Sequence, residues 1–273
     1  MKYAFRCLLL AVLLFSLSAF AQEERSNTTG SGKSASSGGQ TQSGQTPSGQ
    51  TESAQKQSEE KKDGQTHRAV VERLNGAAED LRRLTNAGDK GIPNTILADA
   101  KCVAIVPTLF KGGFIFGAEH GRGVATCRTT KGWSTPAFFV ITGGSWGAQI
   151  GGEAVDLVML FMTNEGAEKL LSANWKIGGD AGIAAGPFGR DLSASTSWKM
   201  NTGILTYSRA KGAFIGATLN GANVSADMDS IRALYGRSYN FRQLLEGKVK
   251  PPAAAHPFLA QIRVDFHEAN AGK

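Results

Sequence analysis

Five short runs follow one another with only turn-sized breaks: "CVAIVP" (102–107), "GGFIFGAEHG" (112–121), "RGVATCRT" (122–129), "PAFFVITGG" (136–144) and "EAVDLVMLFM" (153–162). Each is rich in β-branched, aromatic and glycine residues, and none is separated from the next by a helix-length periodic segment. Such a series reads as consecutive antiparallel strands and argues against a doubly wound parallel sheet, which needs a helix after almost every strand. Further strands are expected at about 175–184, 192–199, 203–209 and 212–219. Glycine inside strands suits a strongly curved sheet, because it removes side chains where backbones bend or approach closely. The fold class expected is α+β: a curved antiparallel sheet, open or closed as a barrel, with packed N-terminal and C-terminal helices.

The helices flank the sheet. Val70, Leu74, Ala77, Ala78, Leu81 and Leu84 recur at three- and four-residue spacing and predict an amphipathic helix over about 66–86, with Arg68, Arg73, Arg82 and Arg83 on its outer face. "AGDKGIPNTILADA" gives a stop, a proline turn and a short second helix. "NEGAEKLLSAN" predicts one helix capped by Asn164, "SADMDSIRALYG" another capped by Ser225, and a closing helix starts at Pro257 with Phe258, Ile262 and Phe266 inward.

The N-terminal segment has a different texture. Residues 1–21 combine Lys2 and Arg6, the apolar "CLLLAVLLFSLSAF" and the small-x-small Ala19-Phe20-Ala21, the pattern of a cleaved export signal. Residues 22–65 are Ser, Gly, Gln and Thr with scattered charges, a composition unable to bury enough apolar surface to offset ordering entropy. They read as a tether, leaving a folded domain at 66–268. This organisation predicts an exported chain, periplasmic or secreted. Cys102 and Cys127, the two cysteines beyond the leader, then read either as one disulfide or as two small buried hydrophobes.

Reactive chemistry finds little support. Gly143, Ser145 and Gly147 match G-x-S-x-G, and Asp229 with His256 or His267 would complete the chain order of a serine hydrolase. The match needs a helix after Ser145, and Gly147, Gly151 and Gly152 each disfavour one by roughly 1 kcal/mol. "GGDAGIAAGPFG" lacks both the dinucleotide spacing and the Gly-Lys-Ser/Thr ending of a phosphate loop. His67, His120, His256 and His267 are scattered, so no metal site and no cofactor is expected. A membrane helix over 137–162 would bury Glu153 and Asp156 in lipid; two strands avoid that penalty. The net charge of +7 is compatible with acidic lipid, other polyanions or nucleic acid and by itself chooses none.

"KGIPNTILADAKCVAIVPTLFKGGFIFGAEHGRGVATCR", "GGSWGAQIGGEAVDLVMLF", "GGDAGIAAGPFGRDLSAST" and "ILTYSRAKGAFIGATLNGA" stand in the same order as the motifs of the SYLF domain, and the chain resembles that family from about Gly91 to Ala222. The resemblance implies binding of acidic lipids, phosphoinositides in particular, without catalysis. It also implies that Gly143, Gly144, Ser145 and Gly147 form a structural turn. It points to an anionic phospholipid or membrane surface as partner and to no nucleic acid, with a protein-binding scaffold as the competing reading. Cys102 stands where the family is expected to carry a small residue such as glycine, so a Cys102–Cys127 bridge is not implied. Actin regulation, known from eukaryotic members with additional domains, is not expected of an exported chain. Membrane contact in the family involves an N-terminal amphipathic helix, which maps here onto Arg68, Arg73, Arg82 and Arg83. A second candidate is the loop "PTLFKGG", read as a hairpin tip with Leu109, Phe110 and Lys111, whose basic edge Arg122, Arg128 and Lys131 would extend.

Overall fold

The computed structural model describes residues 48–88, 91–113, 116–146, 151–178, 183–186, 203–210, 213–215 and 221–271. The leader at 1–21, the tether up to residue 47 and the strand expected at 192–199 lie outside the described residues. Helix α1 spans Ser48–Thr85, so the last part of the expected tether is helical. "QKQSEEKKDGQ" is mostly Gln, Lys and Glu with no β-branched residue, and these straight-chain side chains lose little freedom in a helix. Composition marked the segment as unable to make a core; it did not forbid it to extend a helix already held by one.

Val70, Leu74, Ala77, Leu81 and Leu84 are fully buried along α1, the single stripe their spacing predicts. The helix closes with Arg82 and Arg83 in its last turn, where cations complement the partial negative charge of the terminal carbonyls. Helix α2 (Asn94–Asp99) follows, then strands β1 (Cys102–Gly113), β2 (Phe116–Thr129), β3 (Gly132–Trp133), β4 (Ala137–Trp146) and β5 (Gly151–Phe161). Helix α3 (Asn164–Leu171), strands β6 (Asn174–Lys176), β7 (Ile183–Ala185), β8 (Ile204–Ala210), β9 (Ala213–Ile215) and β10 (Asn223–Ala226), and helices α4 (Met228–Tyr235), α5 (Phe241–Leu245) and α6 (His256–Ala271) complete the order.

The strands form one curled, half-barrel sheet in the order β6-β10-β4-β2-β1-β5-β8-β7, with β3 on β2 and β9 on β8. Neighbours are antiparallel except β7 and β8, which run parallel, so the sheet is mixed where an antiparallel one is expected. The central strand β1 begins buried on both faces: every residue from Cys102 to Val106 is inaccessible. Helix α1 lies across β1 and β2 and packs on α4 and α6, which accounts for the second buried face. Curvature demands close approach inside the curl. A Cβ on Gly123 would stand 2.3 Å from Phe139 Cζ and 2.8 Å from the Ile105 carbonyl oxygen. Only glycine lets the Phe139 ring fill that space.

A disulfide joins Cys102 of β1 to Cys127 of β2, residues directly opposite in the ladder. Two caps differ from the sequence expectation. Thr163, not Asn164, accepts the Gly166 N–H and caps α3. Asp227, not Ser225, accepts the Ser230 N–H and caps α4, because Ser225 is held in strand pairing with Val140 and Asn174. Helix α5, capped by Asn240, was not expected from the sequence. In α6, Phe258, Ile262 and Phe266 are buried as the spacing predicts.

Candidate functional site

Phe110 is the most exposed large apolar side chain among the described residues, with 60% of its surface open. Strand pairing explains its setting. Phe110 faces His120 of β2 and Ala154 of β5, and His120 faces Thr142 of β4, so Thr142, His120, Phe110 and Ala154 form one row across four strands. The next row on the same face is Gly144, Ala118, Gly112 and Gly152. All eight are exposed. The second row has no side chain longer than a methyl group, so Phe110 stands beside a flat strip of backbone. Arg122, exposed and two residues along β2 from His120, lies on the same face.

Leu109 does not share this position. It is fully buried, pairing with Gly121 and Val155 beside an irregularity in the β1 register. The expected hairpin tip at 109–111 is therefore the interior of a long strand; Gly112 and Gly113, which follow it, are paired, not turning. Lys111, on the opposite face, lies 3.8 Å from Glu119. Burial raises the Glu119 carboxyl above its usual range, with the Lys111 ammonium acting against that.

Helix α1 differs from the expected row of outward arginines. Arg68 is exposed. Arg73 is not: its guanidinium donates to Asp227 at 3.2 Å and Ser230 Oγ at 3.1 Å and lies over the Phe138 ring at 5.6 Å. Its position at the edge of the buried stripe lets it reach the α4 cap. Arg82 and Arg83 are half-exposed but folded onto Glu79 at 2.8 and 3.0 Å, and Arg83 also meets Asp80 at 3.5 Å. The sequence mixes Glu72, Glu79 and Asp80 with these cations, which makes the helix a weak electrostatic anchor, and two of those acids, Glu79 and Asp80, are the partners of Arg82 and Arg83.

Residues 142–264 match a family model, Ysc84, described as Las17-binding protein actin regulator. Over 201 residues the chain is 32% identical to Protein YSC84 of Saccharomyces cerevisiae, covering 70% of this chain and 43% of that protein. It is 32% identical over 199 residues to human SH3 domain-containing YSC84-like protein 1, covering 70% of this chain and 58% of the human protein. The yeast LAS seventeen-binding protein 3 is 29% identical over 192 residues, 68% of this chain and 42% of that one. The chain belongs to the Ysc84, or SYLF, family. It spans about half the length of the curated relatives it matches.

In this SYLF chain Arg128 and Lys131 do not extend the edge at Phe110. Arg128 lies eight residues along β2 from His120, about 26 Å at strand rise. Its guanidinium donates to the Ala100 and Ala98 carbonyls at 2.9 and 3.3 Å and stacks on Trp133 and Phe266. That cation closes the end of α2. Lys131 is exposed in the turn between β2 and β3.

The glycine-rich centre of the SYLF pattern is strand. Gly143, Gly144 and Ser145 pair with Glu119, Ala118 and Gly117, so β4 continues through them to Trp146 and the expected turn is absent from these three residues; Gly147 lies outside the described residues. A nucleophile elbow needs a sharp strand-to-helix turn at the serine, and Ser145 has strand on both sides. Among the described residues no group of three or more His, Cys, Asp and Glu is placed to hold a metal ion. None of the helices searched among them is long and apolar enough to cross a membrane.

Proposed function

We propose that this protein is exported and works without catalysis, docking reversibly on anionic membrane surfaces through the face that carries Phe110. The observation that carries this reading is one exposed ring beside a flat Gly/Ala strip. Such a strip allows close approach to a headgroup layer, and the ring is free to enter it. Burying a Phe side chain contributes roughly 2–3 kcal/mol, and each uncompensated cation near an anionic leaflet about 1 kcal/mol. With Arg122, whose charge is partly offset by Asp227, the sum is about 3–4 kcal/mol, a contact of roughly millimolar strength. Docking is therefore expected to be weak, salt-sensitive and dependent on several copies or contacts. Export rests on the leader-like residues 1–21, and the acidic-lipid preference on the family resemblance together with the basic balance.

Co-sedimentation of the mature chain with phosphatidylcholine vesicles, with and without phosphatidylserine, tests the reading. Binding should require the anionic lipid, fall with salt, and drop for Phe110→Asp. Indifference of the wild-type chain to anionic vesicles at low ionic strength would sink it. A second reading, protein docking, is favoured by the family description and by the name of the yeast LAS seventeen-binding protein 3. It predicts a pulled-down protein partner whose capture ignores both salt and Phe110→Asp.

A further inference from the structure

Two helices end side by side in the same way. Gly236 closes α4 with φ 71°, and Gly247 follows α5 with φ 72°, a left-handed conformation that glycine adopts without strain. The residue after each glycine is a cation, Arg237 and Lys248. Lys250 follows two residues on, just before Pro251 and Pro252. Arg237, Lys248, Lys250, Tyr235, Tyr239 and Pro252 contribute to the lining of a half-open cleft of about 450 Å³, within the size range of small-molecule sites.

The wall is held before any ligand arrives. The Tyr235 hydroxyl donates to the Pro136 carbonyl at 2.6 Å and pairs with Thr135 Oγ1 at 2.7 Å. The Tyr235 and Tyr239 rings meet edge to face at 5.5 Å. Arg237 lies over the Tyr239 ring at 4.6 Å and donates to its hydroxyl. Capping bonds occupy helix carbonyls that would otherwise repel an anion: Gly236 N–H donates to Arg232, Gly247 N–H to Leu244 and Lys248 N–H to Gln243. Glu246 pairs with Lys248 at 2.6 Å, leaving a cationic excess of two. Arg73 and Arg128 brace helices; Arg237 and Lys250 are exposed and brace nothing beyond this wall.

We propose that this cleft binds a phosphate monoester. Such a group is close to doubly negative at neutral pH, which matches the two excess cations. The planar guanidinium of Arg237 can fork two phosphate oxygens, Lys248 and Lys250 supply point charges, and the tyrosine and proline surfaces cover the organic part. The site is separate from the Phe110 face. Tyr235 is bonded at Pro136, six residues from Thr142 along the β4 segment, about 20 Å away.

The test is amide-resolved NMR of the mature chain titrated with glycerol 3-phosphate, with inorganic phosphate and sulfate as controls, and in parallel with vesicles containing phosphatidic acid. Saturable shifts at Gly236, Arg237, Gly247 and Lys248 on addition of glycerol 3-phosphate support a soluble ligand. The same shifts with phosphatidic acid vesicles alone support a lipid-borne one. In either arm the Arg237→Gln, Lys250→Gln double variant should lower affinity on the order of tenfold or more with an unchanged melting temperature, since both side chains are exposed. Absence of saturable shifts with either monoester overturns the proposal. So do sulfate shifts equal to those of glycerol 3-phosphate, or shifts that survive in the double variant. Phe110→Asp should leave the glycerol 3-phosphate shifts intact, so failure of the membrane reading and failure of this one are distinguishable.

Discussion

Arg73 reaches from α1 to Asp227 at 3.2 Å, and the pair, with side chains only 9% and 6% exposed, ties the long helix to the cap of α4. Burial alone would raise the Asp227 carboxyl. The hydrogen bonds from Ser230 and then the charges of Arg73 and Arg122 outweigh it, and the net shift is downward. Truncating Arg73→Ala leaves a carboxylate buried with one partner fewer and should destabilise the fold by about 3 kcal/mol. Urea denaturation at neutral pH checks this; a change within experimental error would mean that Ser230 alone satisfies Asp227.

Two buried acids shift the other way. Burial, with the neighbouring charge of Asp156 on β5 and of Glu79, pushes Asp80 up to about 7 against the pull of Arg83 and Arg209. Asp265 on α6 is pushed up to about 6 by burial and by Glu268, although Gln261 and Thr85 donate to it and Arg82 lies near. A carboxyl whose folded pKa lies above its unfolded value binds its proton more tightly in the fold, so stability rises as pH falls through the folded value towards the unfolded one. These two acids should therefore make the domain more stable at about pH 5 than at about pH 8. Asp80→Asn should flatten that profile and raise stability mainly at the alkaline end. Melting curves across the range decide it. Asp227 works oppositely: its contribution is present above the unfolded carboxylate range and is lost as pH falls through its depressed folded value.

The Cys102–Cys127 bridge closes a sequence separation of 25 residues. Constraining such a loop in the unfolded chain is worth roughly 3 kcal/mol, so a Cys102→Ala, Cys127→Ala variant should melt lower by a corresponding amount. Both sulfurs belong to nearly inaccessible residues, so a thiol-directed reductant should act on the native protein only as fast as it opens. Reduction measured with and without denaturant checks this.

Gly123→Ala should destabilise by about 1–3 kcal/mol, because the new methyl group collides with Phe139 and with the Ile105 carbonyl, which belongs to the backbone and has little room to move. The companion change Phe139→Leu should recover part of the loss, and a double-mutant cycle would measure the coupling.

The stripe on α1 was legible because a helix repeats its inward face every three or four residues, and each predicted position from Val70 to Leu84, apart from half-buried Ala78, is fully buried. The same logic misplaced Arg73, since its partner Asp227 is 154 residues away and no local spacing announces such a pair. The strands were recognisable, but their lengths were not. Glycines at 112–113, 117 and 143–144 carry turn chemistry in isolation, yet here they pair across the ladder, a choice made by the neighbouring strand. Phe110 and Leu109 illustrate the consequence: adjacent residues on a strand point to opposite faces, so a segment read as a tip gave both the same role. The cleft beside Tyr239 left a fainter trace in the sequence, two glycines each followed by a cation, and nothing local said that the two helix ends would meet.

The bridge between β1 and β2 lies at the open end of their hairpin, so residues 102–127 form a covalent ring. A protease that cuts the 113–116 connection would not separate the fragments. The nicked chain would migrate as one band until thiol was added and as two afterwards, and its intact mass under oxidising conditions would differ from that of the uncut chain only by the one water taken up in hydrolysis.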